Sequence, residues 1–490
     1  MSKSNKKQQL NVFHNKELNF VNFTKSKIII MKYETGDETT YYDGENYIQD
    51  DTLDTYTFKS DYTLVECPFC ENTMEPLHKN VEECYKCFKE TNNELIELTN
   101  SCKANKKKID LSICGRFSHT FLRMLIEHQT DEKGFKNEEL REDVKNFKIV
   151  SYKEYKWFQK CSAQLLYAQR DYKGEAIAID KNSYYPYLMQ DKNFYIPIDE
   201  GEELKIETIQ DAILDNIKKK VKYGIYICKI EVPDEHPFKH LFKENDYNIY
   251  THYDIEIALK LKFSIYMITE NKEYNFLYYS PDKLRNCNYL FGETITHLWD
   301  LRQNAKTENS KKFMKKIITS GWGVLSQVNL KKVYFKLGDI PKIPSEDYIV
   351  YSREMDRNDQ TKRILKLLNT KDPYKTRYGR LKPFLLSRAR NKLIEEIMKM
   401  DNPRDIVRIH TDGMYIKKES THNFKLNPTL LGGWKLEKDN VYIIVENVNK
   451  IIVYDIFDNE NSIIVPKNHE IINKKIHEDK ILVRFKKCKA

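Results

Sequence analysis

Two short β-prone runs, each carrying an acid where the backbone is rigid yet open to solvent, constrain this chain more than any other feature. Gly174-Glu-Ala-Ile-Ala-Ile-Asp180 is short, apolar and ends on a carboxylate, which predicts a buried strand running out at Asp180. Ile406-Val-Arg-Ile-His-Thr-Asp-Gly-Met-Tyr-Ile-Lys417 predicts a hairpin, with Asp412-Gly413 as the tight turn between two arms. Taken singly, ordinary turn chemistry accounts for Asp412, and the capping of the next turn by a strand-end acid accounts for Asp180. The residues after Asp180 are less ordinary. Asp180-Lys-Asn-Ser-Tyr-Tyr-Pro-Tyr-Leu-Met189 sets a hydroxyl three residues on and an aromatic ring five residues on, before a proline that fixes the turn. Backbone N–H groups in such a turn can cradle phosphate oxygens, and the acid can hold the cation that neutralises them.

From Ile149 onward the chain changes texture, to longer periodic elements, and the main domain boundary is placed there. Tyr223 to Val232 alternates as a half-exposed strand stopped by Pro233. Thr251-His-Tyr-Asp254 has capping-box spacing ahead of Ile255, Ala258, Leu259 and Leu261, so a helix is expected to start there. One long helix is predicted from about Glu293 to Thr319, closed by Ser320-Gly-Trp-Gly323. Another opens at Pro383 and runs to about Met400. Within the first of these, Arg302 to Lys316 holds six bases against Glu308 alone. Lys311 and Lys315 are one turn apart, and Thr319 and Trp322 continue their face, so a cation, a hydroxyl and a flat ring line up as a triphosphate would require. A solvated basic face is the plainer explanation for a lysine run, but it does not account for the glycines at its end.

Four of the ten cysteines form Cys67-Pro-Phe-Cys70 and Cys84-Tyr-Lys-Cys87. Two CxxC knuckles joined by a hairpin-length spacer are what a tetrahedral thiolate site for structural Zn²⁺ needs. With all four positions thiolate, no coordination place is left for a catalytic water. Cys102, Cys114, Cys161, Cys228, Cys287 and Cys488 show no such pairing and are expected to be buried free thiols in a reducing compartment, cytoplasm or nucleus. The 82 Lys and Arg against 73 Asp and Glu give a net charge of +9, modest for 490 residues. Only clustered charge would then point to a polyanion. No apolar run is long enough to span a bilayer, and the polar N-terminus has no signal-peptide core, so neither a membrane nor a secreted protein is expected.

The order and spacing of the three chemical segments resemble motifs A, B and C of family B DNA polymerases of the viral, organellar and protein-primed branch. Asp180-Lys-Asn-Ser-Tyr-Tyr-Pro186 is similar to DxxSLYP, Lys315-Lys-Ile-Ile-Thr-Ser-Gly-Trp-Gly323 to KxxxNSxYG, and His410-Thr-Asp-Gly413 to DTDS. Tyr250-Thr-His-Tyr-Asp-Ile-Glu256 and Asn275-Phe-Leu-Tyr-Tyr279 also resemble the viral branch. The resemblance covers about residues 150–450. It implies an α/β right-hand fold with an N-terminal zinc-ribbon region: 1–63 without an assigned role, 64–90 the ribbon, 91–148 a charged connector, 149–292 the first part of the palm, 293–330 the fingers, 331–425 the second part of the palm, and 426–490 thumb-like with a basic C-terminus.

The resemblance further implies template-directed addition of deoxynucleotides to a primer 3′-hydroxyl, in replication of a viral or mobile-element genome. Asp180, Asp412 and the carbonyl of Lys181 would hold two Mg²⁺ ions, with Mn²⁺ as a substitute. Lys315 would be catalytic and, with Arg302, Lys311, Ser183, Tyr184, Thr319 and Trp322, would bind the nucleotide. Tyr185 would lie under the sugar and exclude a 2′-hydroxyl. Arg390 and Tyr442 would grip primer–template DNA. Thr376-Arg-Tyr-Gly-Arg380 is a second match to a TxxGR-type motif, and Arg390 is favoured over it because its helix leads directly into motif C. Whether the primer is DNA, RNA or a terminal protein stays open, and Asp43-Gly-Glu45 alone does not make a proofreading site. The departures are His410 for the first motif C acid, Gly413 for its serine, Thr319 for the motif B asparagine, Trp322 for its tyrosine, and Asn440-Val-Tyr442 for a Lys-x-Tyr. They leave a second expectation, a catalytically degenerate polymerase fold serving as a nucleic-acid-binding scaffold.

Overall fold

The computed structural model describes residues 147–490 apart from 243, 337, 356–360, 421–423, 464, 466–468, 478–479 and 488–490; before residue 147 it describes 10–14, 19–23, 28–32, 38–42, 65–66, 73–74, 90, 93–97, 117–130 and 138–146. The proposed zinc ligands Cys67, Cys70, Cys84 and Cys87 lie outside the described residues, as does Asp43-Gly-Glu45. Four N-terminal strands, Leu10–His14, Asn19–Phe23, Ile28–Lys32 and Glu38–Tyr42, pair as an antiparallel meander.

The fold is mixed α/β. Its centre is an eight-stranded antiparallel sheet among the described residues, in the order His469–His477, Lys480–Lys487, Lys450–Phe457, Trp434–Asn447, Lys173–Lys181, Gly413–Lys417, Ile406–His410 and Leu166–Ala168. The strand Lys173–Lys181 lies between partners that come more than two hundred residues later, so both of its hydrogen-bonding edges are met by distant chain. Alternation then sorts its side chains. Ile177 and Ile179 join a core with Leu393, Ile394 and Ile397 of the helix Leu381–Ile397, while Ala176 faces a separate cluster with Val407, Val441 and Ile443. Asp180 shares the parity of Ala176, and Lys181 that of the isoleucines. Accordingly the Lys181 ammonium reaches Glu396 near the end of that helix at 2.8 Å and lies 4.3 Å from the Trp434 ring centroid.

A five-stranded sheet of Glu202–Leu204, Phe276–Tyr278, Gly224–Glu231, Ile249–Thr251 and Ser264–Met267 packs alongside. The helix His252–Lys260 starts as the capping box predicts, with Asp254 accepting from the backbone N–H and hydroxyl of Thr251 at 3.1 and 3.0 Å. Strands Leu330–Lys336, Tyr348–Met355 and Lys362–Asn369 make a separate three-stranded sheet inside the stretch expected to be palm. The basic C-terminal stretch contributes two strands to the central sheet.

The long helix expected from Glu293 to Thr319 is two, Glu293–Asn304 and Glu308–Leu325. Ala305 turns extended, and Thr307 becomes an N-cap whose hydroxyl accepts from the Ser310 N–H at 3.2 Å. Glu94 reinforces the break by accepting from the Thr307 N–H at 3.1 Å and from the Thr307 and Ser310 hydroxyls at 2.6 and 2.7 Å. The glycines of Ser320-Gly-Trp-Gly323 do not close the second helix, which continues to Leu325. Gly321 is there for contact, since a Cβ would stand 2.5 Å from the Phe121 ring of the helix Phe117–Thr130. No helix among the described residues is long and apolar enough to cross a membrane.

Candidate active site

The two acids are brought together by strand register. Asp180 pairs with Gly413, and the Lys181 N–H donates to the Asp412 carbonyl at 3.2 Å. The hairpin turn is Thr411-Asp412, not Asp412-Gly413: His410 pairs with Gly413, and Thr411 takes a left-handed φ of 61°. Gly413 instead opens the returning arm, and a Cβ on it would sit 3.0 Å from Asp180 Oδ1. A serine there would crowd the carboxylate, so the departure from DTDS leaves room at the acid. Ser183 is also left-handed, at φ 54°. Each acid thus has a non-glycine residue in an uncommon backbone state within three positions, the kind of local cost that accumulates at functional sites.

Burial and the charge of Asp180 hold the Asp412 carboxyl up at about 6, while a hydrogen bond from Thr411 works the other way. The nearest countercharge is Lys435, whose Nζ lies 3.0 Å from Asp180 Oδ2. Sequence reading misses this residue, because its position depends on the pairing of Trp434–Asn447 with Lys173–Lys181 across most of the chain. The turn before it supplies the register. Gly432, at φ 74°, donates to the Asn182 carbonyl at 2.7 Å, and the Asn182 N–H donates to the Gly433 carbonyl at 2.9 Å. A Cβ on Gly432 would meet the Tyr187 ring at 2.2 Å. The one signal visible in the sequence is Gly432-Gly433 ahead of a β-prone arm.

Lys315 reaches the same place from the helix Glu308–Leu325. Burial lowers its proton affinity, the neighbouring Lys435 and Arg302 lower it further, and Asp180 and Glu437 oppose them. Arg302 stacks on Trp299 and donates to Asn182 Oδ1 at 3.4 Å. Tyr185 lies against Trp322 with ring centroids 4.7 Å apart, and Gln164 donates to its hydroxyl at 3.4 Å. Burial, helped by the charge of Asp412, pushes that phenol up to about 12, so it stays protonated. The Ser183 hydroxyl is buried and has no hydrogen-bond partner among the described residues.

The remaining sequence candidates lie elsewhere. Tyr184 is in the core, its hydroxyl donating to the Ala389 carbonyl at 2.9 Å. Thr319 bonds back to the Lys315 carbonyl at 2.8 Å, and Lys311 pairs with Glu308 at the helix start. Arg390 is buried against Asp254, with Nη2 to both carboxylate oxygens at 2.7 and 2.9 Å, and also donates to the Ala163 carbonyl. Arg380 is fully buried on Glu154. Both guanidiniums are buried and committed to carboxylates, Arg380 to Glu154 and Arg390 to Asp254. Tyr442 pairs with Glu175, five residues down the strand from Asp180 and so roughly 16 Å away, and its ring lies beside the Lys475 ammonium.

Among the described residues no group of three or more His, Cys, Asp and Glu side chains converges as a metal site. A divalent cation here would draw on two carboxylates, backbone oxygen, water and the oxygens of a bound phosphate. The donor set fits such a cation: burial and the neighbouring charge of Asp180 both raise the proton affinity of Asp412, and Lys435 pairs with Asp180 alone of the two acids.

No family model matches the chain, and no curated protein matches it. Among solved structures it is similar to Phi29 DNA polymerase complexed with single-stranded DNA, at 14% identity and a TM-score of 0.49, covering 94% of this chain and 75% of that one. The ternary complex of that polymerase with primer-template DNA and incoming nucleotides matches at 14% identity and 0.46, covering 94% and 82%. Its orthorhombic crystal form matches at 15% identity and 0.45, covering 76% of this chain and 60% of that one, so the chain spans less than two thirds of that polymerase in this comparison. The likeness is remote and assigns no residue.

Proposed function

We propose that this chain is a template-directed DNA polymerase that adds deoxynucleotides to a primer 3′-hydroxyl. The observation that carries the reading is convergence: Asp180, Lys315 and Asp412, drawn from three distant segments with motif-like order, meet at one edge of the central sheet with Arg302 and Lys435. Asp180 and Asp412 hold Mg²⁺, which supplies charge neutralisation for an in-line displacement at the α-phosphate. Lys315 and Arg302 orient the triphosphate from the helix side. Ser183 offers it a hydroxyl that nothing else among the described residues engages. Tyr185, clamped between Gln164 and Trp322, forms a fixed floor under the sugar that a 2′-hydroxyl would strike.

His410 and the inward-turned Thr319 favour the second reading, a polymerase fold kept as a nucleic-acid scaffold. Primer extension with Mg²⁺ on a DNA primer–template separates the two. Divalent-dependent extension that disappears in Asp412→Asn supports the enzyme. No extension with Mg²⁺ or Mn²⁺ on a DNA, RNA or protein primer, with DNA binding unchanged in Asp412→Asn, supports the scaffold. Zn²⁺ at Cys67, Cys70, Cys84 and Cys87 is also part of the proposal. One zinc per chain by elemental analysis, lost in Cys67→Ser, is its expected signature.

A further inference from the structure

Lys435 lies opposite Asp180 in register and its Nζ touches Oδ2 at 3.0 Å, yet the same ammonium also bonds Glu437. Glu437 falls where the pairing with Lys173–Lys181 shifts register between Leu436 and Lys438, and the irregular backbone there leaves its carboxylate within reach of the Lys435 ammonium. The lysine therefore has two acids within reach: one belongs to the site, and the other, 47% exposed, stands at its rim. The paired turn at Asn182, Gly432 and Gly433 fixes the strand start, so Lys435 is delivered by register and not by a wandering surface side chain. This contact also presses on Lys315, which lies within the field of Lys435, Asp180 and Glu437 alike.

We propose that Lys435 is a built-in counter-cation of the acid pair: it occupies Asp180 until a divalent ion arrives, then shifts its ammonium to Glu437, and so sets the affinity of the site for that ion. The inference rests on reading Asp180 and Asp412 as metal-holding. Its logic is competition for the same oxygens. An ammonium 3.0 Å from a carboxylate oxygen and a divalent cation on that oxygen repel each other, so the ion binds only as the ammonium leaves. Glu437 makes leaving easier, because the displaced charge keeps a partner. The position seen bonds both acids at once, and a ligand that takes the Asp180 oxygen would favour the position that keeps Glu437 alone. Lys435 is on this account a positioning residue, acting through Asp180.

The test uses Mn²⁺ alone with the full chain, binding being read by electron paramagnetic resonance. Lys435→Met should bind Mn²⁺ roughly tenfold more tightly than wild type, since the competing charge is gone, whereas Lys435→Arg should not. Glu437→Gln should weaken Mn²⁺ binding severalfold, because the ammonium loses its second seat. In the Lys435→Met background, Glu437→Gln should change the affinity by less than about twofold, since no ammonium remains to be seated. Circular dichroism confirms folding in each case, and the charge-keeping arginine variant provides a readout if methionine does not fold. Fully additive effects, or unchanged affinity in Lys435→Met with binding still lost in Asp180→Asn, overturn the counter-cation and leave the polymerase reading standing. Mn²⁺ binding that survives Asp180→Asn overturns both.

Discussion

The helical core and the acid edge of the central sheet both bury charge, and they do so in opposite ways. In the core, Arg380 is fully enclosed, with Nε and Nη2 on the two oxygens of Glu154 at 3.2 and 2.6 Å and Nη1 on the Lys148 carbonyl at 2.6 Å. Glu154 also accepts from the Tyr279 hydroxyl at 2.6 Å and the Gly201 N–H at 3.2 Å. Arg390 and Asp254 repeat the pattern. At the acid edge Lys435 bonds Asp180 and Glu437, no cation among the described residues forms an ion pair with Asp412, a buried serine hydroxyl is left over, and burial with the Asp180 charge drives Asp412 toward its protonated form. A saturated pair has nothing left to offer a ligand. An undersupplied pair is unfavourable alone and favourable once a cation joins it, which is how structural charge and functional charge can be told apart here.

The largest expected effect is on chemistry. Asp180→Asn should cut primer extension by a factor on the order of a thousand or more while leaving the fold and duplex binding intact, because one remaining acid cannot align the reacting oxygens. A steady-state extension assay beside a DNA-binding titration checks it. Next comes the saturated region. Glu154→Gln and Arg390→Ala should each destabilise the protein by about 3–5 kcal/mol, since a buried charge is stranded in each case. Denaturant unfolding measures this. Arg390→Ala should lower stability without a specific loss of DNA affinity in the folded fraction, and the reverse result would make Arg390 a DNA contact after all.

Smaller effects probe the rim of the site. Tyr185→Ala should relax discrimination against ribonucleotides by roughly 10–100-fold, a difference of about 1–3 kcal/mol in single-nucleotide incorporation. Equal discrimination in the variant would remove the steric role. Thr319→Ala should change stability by less than about 0.5 kcal/mol and leave the KM for dNTP unaltered, since the hydroxyl is spent on its own helix.

Much of the candidate site is legible in the sequence because its strands obey elementary patterns. The apolar run into Asp180 and the β arms around Asp412 carry period two, and Tyr185 comes soon enough after Asp180 that a turn fixes their relation. The illegible part depends on contacts between distant segments. Lys435 acquires its place only through pairing with a strand some 250 residues earlier. The break at Ala305 depends on Thr307 acting as a cap and on Glu94 arriving from the N-terminal region, neither of which the charge pattern of the helix reveals. The motif-like position of Arg390 suggests a DNA grip, but the fold supplies Asp254 opposite it, and sequence spacing cannot show a buried partner. Tyr442 is placed in the sequence by its distance along the chain, whereas strand register carries it away from the acids.

The most direct test of the undersupplied acid pair measures stability and extension together in Asp412→Asn. The folded Asp412 carboxyl sits at about 6, above its value in an unfolded chain, so the native state takes up the proton first. In chelator, the contribution of Asp412, read as the stability of wild type minus that of Asp412→Asn, should therefore become more favourable as pH falls from about 6 toward 4, with nearly the whole penalty present above about pH 7. Asp412→Asn should remove that one contribution and, at pH 8, unfold at higher denaturant than wild type, with a gain of at most about 3 kcal/mol from a shift near two units. The same variant should show no Mg²⁺-dependent extension. A variant that is less stable than wild type in chelator and still extends a primer would contradict the account.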